Sequence, residues 1–535
     1  MIHPAAPPSL GPRPWWEGRW FVAAMILLAF VPLLYPPFPP LVDLPGHMAR
    51  FKVATDGATS PFLSQWYQFR WLPIGNLGVD VLAIPLAKWI GVETATKLVV
   101  MMIPPLTVAG MLWVAREVHN RLPPTVAFAL PLAFGHPFLF GFVNFAMSIA
   151  LALIALGLWL RLGRLGKSKL RATLFVPISF IVFFAHTFGW GTLGLLCFSA
   201  EAVRQHDRGW SWWKAGLLGA FHAAAMALPL VLMFLWRTEA SGDGQTKGWF
   251  LWQFKLEYFE RALRDRWEWF DVTSLALIVL LPLFALLHRR LVLSRNLAFS
   301  GLTLLACFVL LPRVIFGSAY ADMRLVPYML AIFVLAIRFK AETVYPLARM
   351  LAVAGVAFLL VRTAGTTASL AIAANHQRQQ LSVLDAVPPG SRVVSLVWAP
   401  CKGWANRRSD HLPSMVIIRR DGFANDQWPL VGSSLLTTTY PEAGWFKSDP
   451  SGVVRSEGCR REAVPIELSL RAIPRDAFDF LWLIDIPPIP RTWVAGWAPV
   501  RIAEGSLLLR RVDAPLPADA APRLKIRRTE RAIGR

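Results

Sequence analysis

The stretch "PPFPPLVDLPGHMARFKVA", Pro36–Ala54, follows directly on the first long apolar run, "WFVAAMILLAFVPLLY" (Trp20–Tyr35). It sets an acid, an imidazole and a guanidinium (Asp43, His47 and Arg50) immediately after that run, behind a brace of prolines. The run resembles a signal peptide in length. It is followed by "PPFPP" instead of a small-residue cleavage site, so it reads as an uncleaved span.

The rest of the chain repeats the apolar theme. Of 535 residues, 55% are hydrophobic and only 16% charged, too apolar a balance for a soluble globule of this length. Runs near the ~20 residues of a transmembrane helix recur. They are Thr96–Ala115, Pro124–Phe140, Phe145–Leu160, Leu174–His186 and Gly189–Ala200, then 215–236, 273–287, 297–312, 325–337 and 347–361. With the first run they predict an all-α polytopic domain of about eleven transmembrane helices. The 24 tryptophans suit anchoring at the membrane interfaces.

A net charge of +22 raises the question of nucleic acid, and the distribution answers it. Lys and Arg sit in short clusters between apolar runs, the positive-inside pattern. "RLGRLGKSKLR" (Arg161–Arg171) alone carries five. Placing that cluster in the cytoplasm puts "REVHNR" (Arg116–Arg121), 204–214, 288–295 and 338–349 there too, with the N-terminal segment 1–19. Residues 37–94 then form one outer loop, and "LGVDVLAIPLAKWIG" (Leu77–Gly91) lies on the outer face. The polar residues that anchor nothing gather on that face, and the segment from about 365 lies there as well.

The last part of the chain changes character. "SRVVSLVW" (391–398), "SMVIIRR" (414–420), "DFLWLIDI" (479–486) and "GSLLLRRV" (505–512) read as strands, and "VLDAVPPG" before the first reads as a helix end and turn. A small extracytoplasmic α/β domain over 366–513 is expected, with 514–535 as a basic, disordered tail. Cys401 and Cys459 are its two cysteines. In an oxidising compartment they form a disulfide candidate, weighed evenly against two free thiols. Cys197 and Cys307 lie in apolar runs and read as packing residues.

In "DLPGHMARF", Pro45 suits a first helical turn. Asp43 would cap that helix, and His47 and Arg50 would share a face. In "FGSAYADMRLVPYML", Tyr320, Asp322 and Arg324 stand at the outer end of another span. Residues two apart do not meet on a helix face, so Asp322 and Arg324 should reach different partners. There is no P-loop, no clustered Cys/His metal site and no G-x-S-x-G.

The acid just after span one, in a long first outer loop, resembles the GT-C superfamily of integral-membrane glycosyltransferases. The likeness is to a bacterial branch with "D-x-P-x-H-x-A-R", here Asp43, Pro45, His47, Ala49 and Arg50, and an "A-D-x-R" element, here Ala321, Asp322 and Arg324. It covers most of 20–365 as architecture. It implies a hexosyl- or pentosyltransferase of the bacterial inner membrane, using a polyprenyl-phosphate sugar donor and an unidentified glycan, lipid or protein acceptor. Asp43 would be the general base. Arg324, Arg313 and Arg50 would bind the donor phosphate, in that order. His47, Asp80, His136, Asn144, His186, Tyr320 and Asp322 would line or support the cavity. A lone Asp43, with Asp80 far along the loop, gives a divalent metal little support, and no other cofactor is implied. Two other classes remain: a lipid or glycan transporter, and a non-catalytic scaffold. The span centres are almost free of charge, which disfavours a transporter.

Overall fold

The computed structural model describes residues 14–239, 246–315, 317–340, 345–428, 435–456 and 464–512. Among the described residues, five helices are long and apolar enough to cross a membrane: Val92–His119, Val143–Arg164, Ser168–Ala185, Glu268–Leu287 and Tyr345–Ala386. Four shorter apolar helices accompany them, Arg19–Leu34, Val126–Phe140, Arg295–Leu310 and Met323–Leu335. The expected eleven full spans are not reached by this measure. Proline is one reason. The run Pro124–Phe140 breaks into three pieces, Val126–Phe128, Leu130–Phe134 and His136–Phe140, with Pro131 and Pro137 at their starts. Proline lacks an N–H and clashes with the preceding turn, so it starts helical pieces more readily than it continues them. The run near 215–236 divides likewise into Trp212–Ala223 and Pro229–Glu239.

The first loop carries two longer helices, Leu44–Asp56 and Asp80–Ile90, with the single turn Leu63–Trp66 between them. The second has 11 residues. At 1.5 Å per residue it reaches about 16 Å and cannot cross a ~30 Å hydrocarbon layer. Its outward side carries Val81, Leu82 and Trp89, all exposed.

The last long helix, Tyr345–Leu381, runs unbroken past residue 366. The boundary expected there is therefore helix interior, and the α/β unit begins after Leu381. The helix leads into strand β4 (Arg392–Trp398), the central strand of a seven-stranded sheet. With β5 (Phe423–Ala424), β7 (Val453–Arg455), β8 (Val464–Pro465), β9 (Phe480–Ile484), β10 (Trp497–Ala503) and β11 (Ser506–Arg511), the order is β10-β11-β9-β4-β7-β8, with β5 also beside β4. Pairs among β4, β5, β7 and β9 are parallel, whereas β11 and β10 add antiparallel edges. Phe480–Ile484 is buried throughout, as suits a strand covered on both faces.

One expected strand is a helix. "SMVIIRR" forms Met415–Arg420, with Met415, Val416, Ile417 and Ile418 all buried. A short continuous apolar run carries no period that separates strand from helix.

The α/β unit is sewn to the first loop. Strand β1 (Tyr67–Phe69) pairs antiparallel with β6 (Leu436–Thr438). The Tyr67 hydroxyl donates to the Ala424 carbonyl at 3.1 Å and accepts the Ala424 N–H at 3.0 Å. The two are thus one packed body around Asp43.

Candidate active site

Asp43 stands at the N-cap position of the Leu44–Asp56 helix, yet its side chain makes no cap hydrogen bond, contrary to expectation. The backbone explains this. Asp43 has φ −85° and ψ −9°, already helical, whereas capping side chains need an extended residue. Its N–H donates to the Phe140 carbonyl at 3.0 Å. Gly141 lies against it with φ +104°, and a Cβ there would fall 2.6 Å from the Asp43 nitrogen. The carboxylate is therefore held by its backbone and released from its own helix.

That carboxylate faces residues from the far end of the chain. Its Oδ1 lies 3.7 Å from His411 Nε2. His411 Nδ1 sits 2.9 Å from Asp426 Oδ1. Asp426 Oδ2 accepts the Ser414 N–H at 3.1 Å and its hydroxyl at 2.6 Å. The imidazole is thus oriented by a fixed acid, with its second nitrogen toward Asp43. Trp428 packs on His411 at 4.5 Å between ring centroids and edge-on to His47 at 5.5 Å. Gly46 admits this indole, because a Cβ there would come within 2.4 Å of it.

Burial pushes Asp43 from 3.8 up to about 7; His411 pulls it down, Asp410 and Asp449 push it further up, and Arg324 pulls it down. Burial alone would lower His411. The charge and hydrogen bond of Asp426, with Asp449 and Asp43, instead raise it to about 10. Burial likewise raises Asp449 to about 6. The cluster holds an imidazolium among acids, one of which changes charge near neutrality. His411, Asp426 and Asp449 also offer ligand atoms within 4.8 Å of one another, a set that could hold a metal ion. His47 is kept neutral, by burial first and then by Arg50 and His411.

His411, Asp426 and Asp449 were missed in the sequence. The signal available was "SDHLPS" (Ser409–Ser414) followed by "NDQW" (Asn425–Trp428), which places an acid–histidine pair and an acid beside an aromatic in one domain. Their placement depends on the loop between β4 and Leu412, which is bolted to the apolar helices. Arg408 pairs with Asp265, and its carbonyl accepts Gln377 Nε2 at 2.7 Å. The Trp404 indole donates to Asp271 Oδ2 at 2.8 Å, while Arg362 holds Asp271 Oδ1 at 2.8 Å.

Arg324 approaches the same region from the other side. It lies in the short Met323–Leu325 turn, which Asp322 caps by accepting the Met323 N–H at 3.0 Å. The other Asp322 oxygen takes Lys255 Nζ at 3.0 Å, so Asp322 and Arg324 do reach different partners. The guanidinium lies over Phe142 at 4.6 Å and Phe188 at 5.1 Å. Nη1 is 3.5 Å from His186 Nε2, and Nη2 donates to the Ser318 hydroxyl at 3.2 Å. Nε is buried without a partner, and among the described residues no carboxylate lies within ion-pair distance. The segment Phe140–Gly141–Phe142 joins the two groups, touching Asp43 at one end and Arg324 at the other.

Other candidates are placed differently. Arg50 is paired within the loop: its Nε and Nη2 lie 2.9 and 2.7 Å from Oδ1 of the fully buried Asp80. Asp80 Oδ2 accepts Asn144 Nδ2 at 2.8 Å, and Asn144 Oδ1 accepts the Val79 N–H at 2.6 Å. Asp80 and Asn144 thus bolt the loop helices together. Arg313 donates from Nε to the Tyr258 hydroxyl at 2.9 Å and lies over Phe254 at 4.2 Å. Tyr320 packs with Phe140, Phe142 and Tyr258, on the same wall as Arg324. His186 caps the Thr187–Asp207 helix by accepting the Phe188 N–H at 3.1 Å. His136 is buried beside Phe140, and its backbone N–H donates to Ala262.

Cys401 is in a disulfide; Cys459 lies outside the described residues, as does the tail 514–535. Cys197 and Cys307 are free thiols.

No family model matches the chain, and no curated protein matches it. Among solved structures, it is similar to ArnT from Cupriavidus metallidurans bound to undecaprenyl phosphate. The TM-score is 0.49 at 10% identity, covering 94% of this chain and 98% of that one. It is also similar to apo ArnT from the same organism, with TM-score 0.46 and 12% identity over 93% and 98%. ArnT is a GT-C glycosyltransferase, the superfamily that the sequence resembles. At such scores and identities the likeness carries no argument of its own.

Proposed function

We propose that this protein is a multi-pass glycosyltransferase of a bacterial inner membrane. It transfers a sugar from a polyprenyl-phosphate carrier to an acceptor at the outer face, with the N-terminus cytoplasmic and the α/β unit outside. The observation that carries the reading is the state of Asp43: a largely buried carboxyl, freed from its helix, held near pH 7, with an oriented imidazolium on one side and a carboxylate-free arginine on the other. A general base works best when it titrates near the working pH. Asp43 accepts the proton of the acceptor hydroxyl as its oxygen forms a bond to the anomeric carbon. The bond from that carbon to the donor phosphate breaks, and its electron pair leaves on the polyprenyl phosphate. Arg324 meets that charge with a planar fork and is always cationic. Its aromatic neighbours Phe142, Phe145 and Phe188 keep water away, which strengthens the interaction.

A hydrophobic donor presenting its phosphate at the interface suits a site between apolar helices and a polar outer domain. The test uses purified protein in lipid nanodiscs with synthetic polyprenyl-phosphate sugars and a membrane-derived acceptor extract. Release of polyprenyl phosphate coupled to acceptor glycosylation supports the proposal. Donor that crosses liposomes unconsumed supports a transporter; donor that is neither consumed nor moved supports a scaffold.

A further inference from the structure

The Val143–Arg164 helix starts beside Asp43 and, after 22 residues, ends at a second polar site. At 1.5 Å per residue the two are roughly 30 Å apart, on opposite faces of the helical layer. A cavity of about 510 Å³ opens there, between the ends of the apolar helices and a two-stranded ribbon, β2 (Leu291–Leu293) and β3 (Ile337–Phe339). That volume falls within the ~300–1,000 Å³ of small-ligand pockets.

The lining has surplus positive charge. Arg164, Arg171, Arg204, Arg295 and Arg338 face it, against Glu117, Glu201 and Asp207. Each acid already has its arginine: Arg164 on Glu117 at 2.6 Å, Arg171 on Glu201 at 2.8 Å and Arg295 on Asp207 at 2.7 Å. Arg204 keeps only a distant 3.8 Å approach to the occupied Glu201. Arg338 makes no ion pair among the described residues. A second observation is independent of charge. The Trp159 indole Nε1, a donor on this lining, is buried with no hydrogen-bond partner. A buried donor left unmade is costly, so a group that completes it binds well.

We infer that this cavity is a binding site for a phosphate group, with Arg204 and Arg338 supplying guanidinium forks and Trp159 an indole N–H. An oxyanion supplies the acceptor that Trp159 lacks, and its charge matches the two unspent arginines. Leu160, Val292 and Leu293 make part of the wall apolar, and the site lies at helix ends. Both features suit the phosphodiester of an anionic phospholipid in the inner leaflet, and a soluble phosphate compound offers the same chemistry.

The experiment compares delipidated wild-type protein with the Arg204→Gln/Arg338→Gln double variant and with Trp159→Phe, which keeps the ring and loses only the N–H. Native mass spectrometry measures retention of phosphatidylglycerol against phosphatidylcholine. A parallel titration with inorganic phosphate follows thermal stability. Retention of phosphatidylglycerol by wild type, cut about tenfold in the double variant and less in Trp159→Phe, supports a lipid site. A phosphate-induced stabilisation in wild type that the double variant loses supports a soluble phosphate ligand. Equal behaviour of wild type and both variants in both arms overturns the inference. Arg204 and Arg338 are partly or fully exposed, so the double variant should melt with wild type in phosphatidylcholine. If it does not, Trp159→Phe alone decides: unchanged retention and unchanged phosphate response overturn the inference.

Discussion

Asp43 and Asp80 belong to the same loop after the first apolar helix and both lie largely out of water, but the fold treats them in opposite ways. Asp80 is fully buried and satisfied, with Arg50 at 2.7 Å on one oxygen and Asn144 at 2.8 Å on the other. Asp43 is denied even its own helix cap, and the nearest cation lies 3.7 Å away. A paired and hydrogen-bonded carboxylate is a structural element. One held with its charged form destabilised is available to take a proton. Perturbed acids of the second kind cluster at functional sites.

The comparison can be broken most easily by making the same substitution at both positions. Asp80→Asn leaves Arg50 buried without a counter-charge, and breaking such a pair costs about 3–5 kcal/mol. Asp43→Asn should do the reverse. A carboxyl whose folded pKa is raised favours the fold while protonated, and that contribution is lost as pH rises from 3.8 toward about 7. At pH 8 the neutral amide therefore melts higher than wild type, and near pH 4 the two converge. Thermal unfolding of both variants at pH 4 and pH 8 checks the signs. A destabilised Asp43→Asn at pH 8 would make Asp43 another structural acid.

The next effect is smaller. Arg324→Lys keeps the charge and loses the fork over Phe142 and Phe188, so donor affinity should fall about tenfold, or about 1.4 kcal/mol. Arg50→Lys, by contrast, should alter stability with little effect on affinity once the protein is folded. Titration calorimetry with a non-transferable donor analogue separates the two. Equal losses of affinity would return Arg50 to the phosphate site.

The smallest effect concerns His411. Its charge pulls Asp43 down against burial. His411→Gln removes that charge, so the alkaline-rising limb of the pH–rate profile should move to higher pH. The profile is the readout, because a merely structural role would lower the rate without moving the limb.

What the sequence made legible follows from range. Asp43 and Arg324 stood out because each is a charge beside an apolar run, a contrast visible within ten residues. The apolar runs likewise located the helices, although not their breaks at Pro131 and Pro137. The Arg50–Asp80 pair was not legible, because 30 residues separate the partners and only the packing of two loop helices joins them. His411 and Asp426 lie 368 and 383 residues from Asp43, in a domain whose local pattern announced only strands. "SMVIIRR" misled even locally, since a four-residue buried run fits strand and helix alike.

The central claim is that Asp43 takes the acceptor proton, and single-turnover sugar transfer by wild type and Asp43→Asn, at saturating polyprenyl-phosphate donor, tests it most directly. A positioned general base contributes about 10²–10⁴-fold, so the variant should bind donor normally and transfer slower by at least a hundredfold. The wild-type rate should rise with pH through about 7, where Asp43 loses its proton. Transfer by Asp43→Asn at the wild-type rate, with the same pH dependence, would contradict the account.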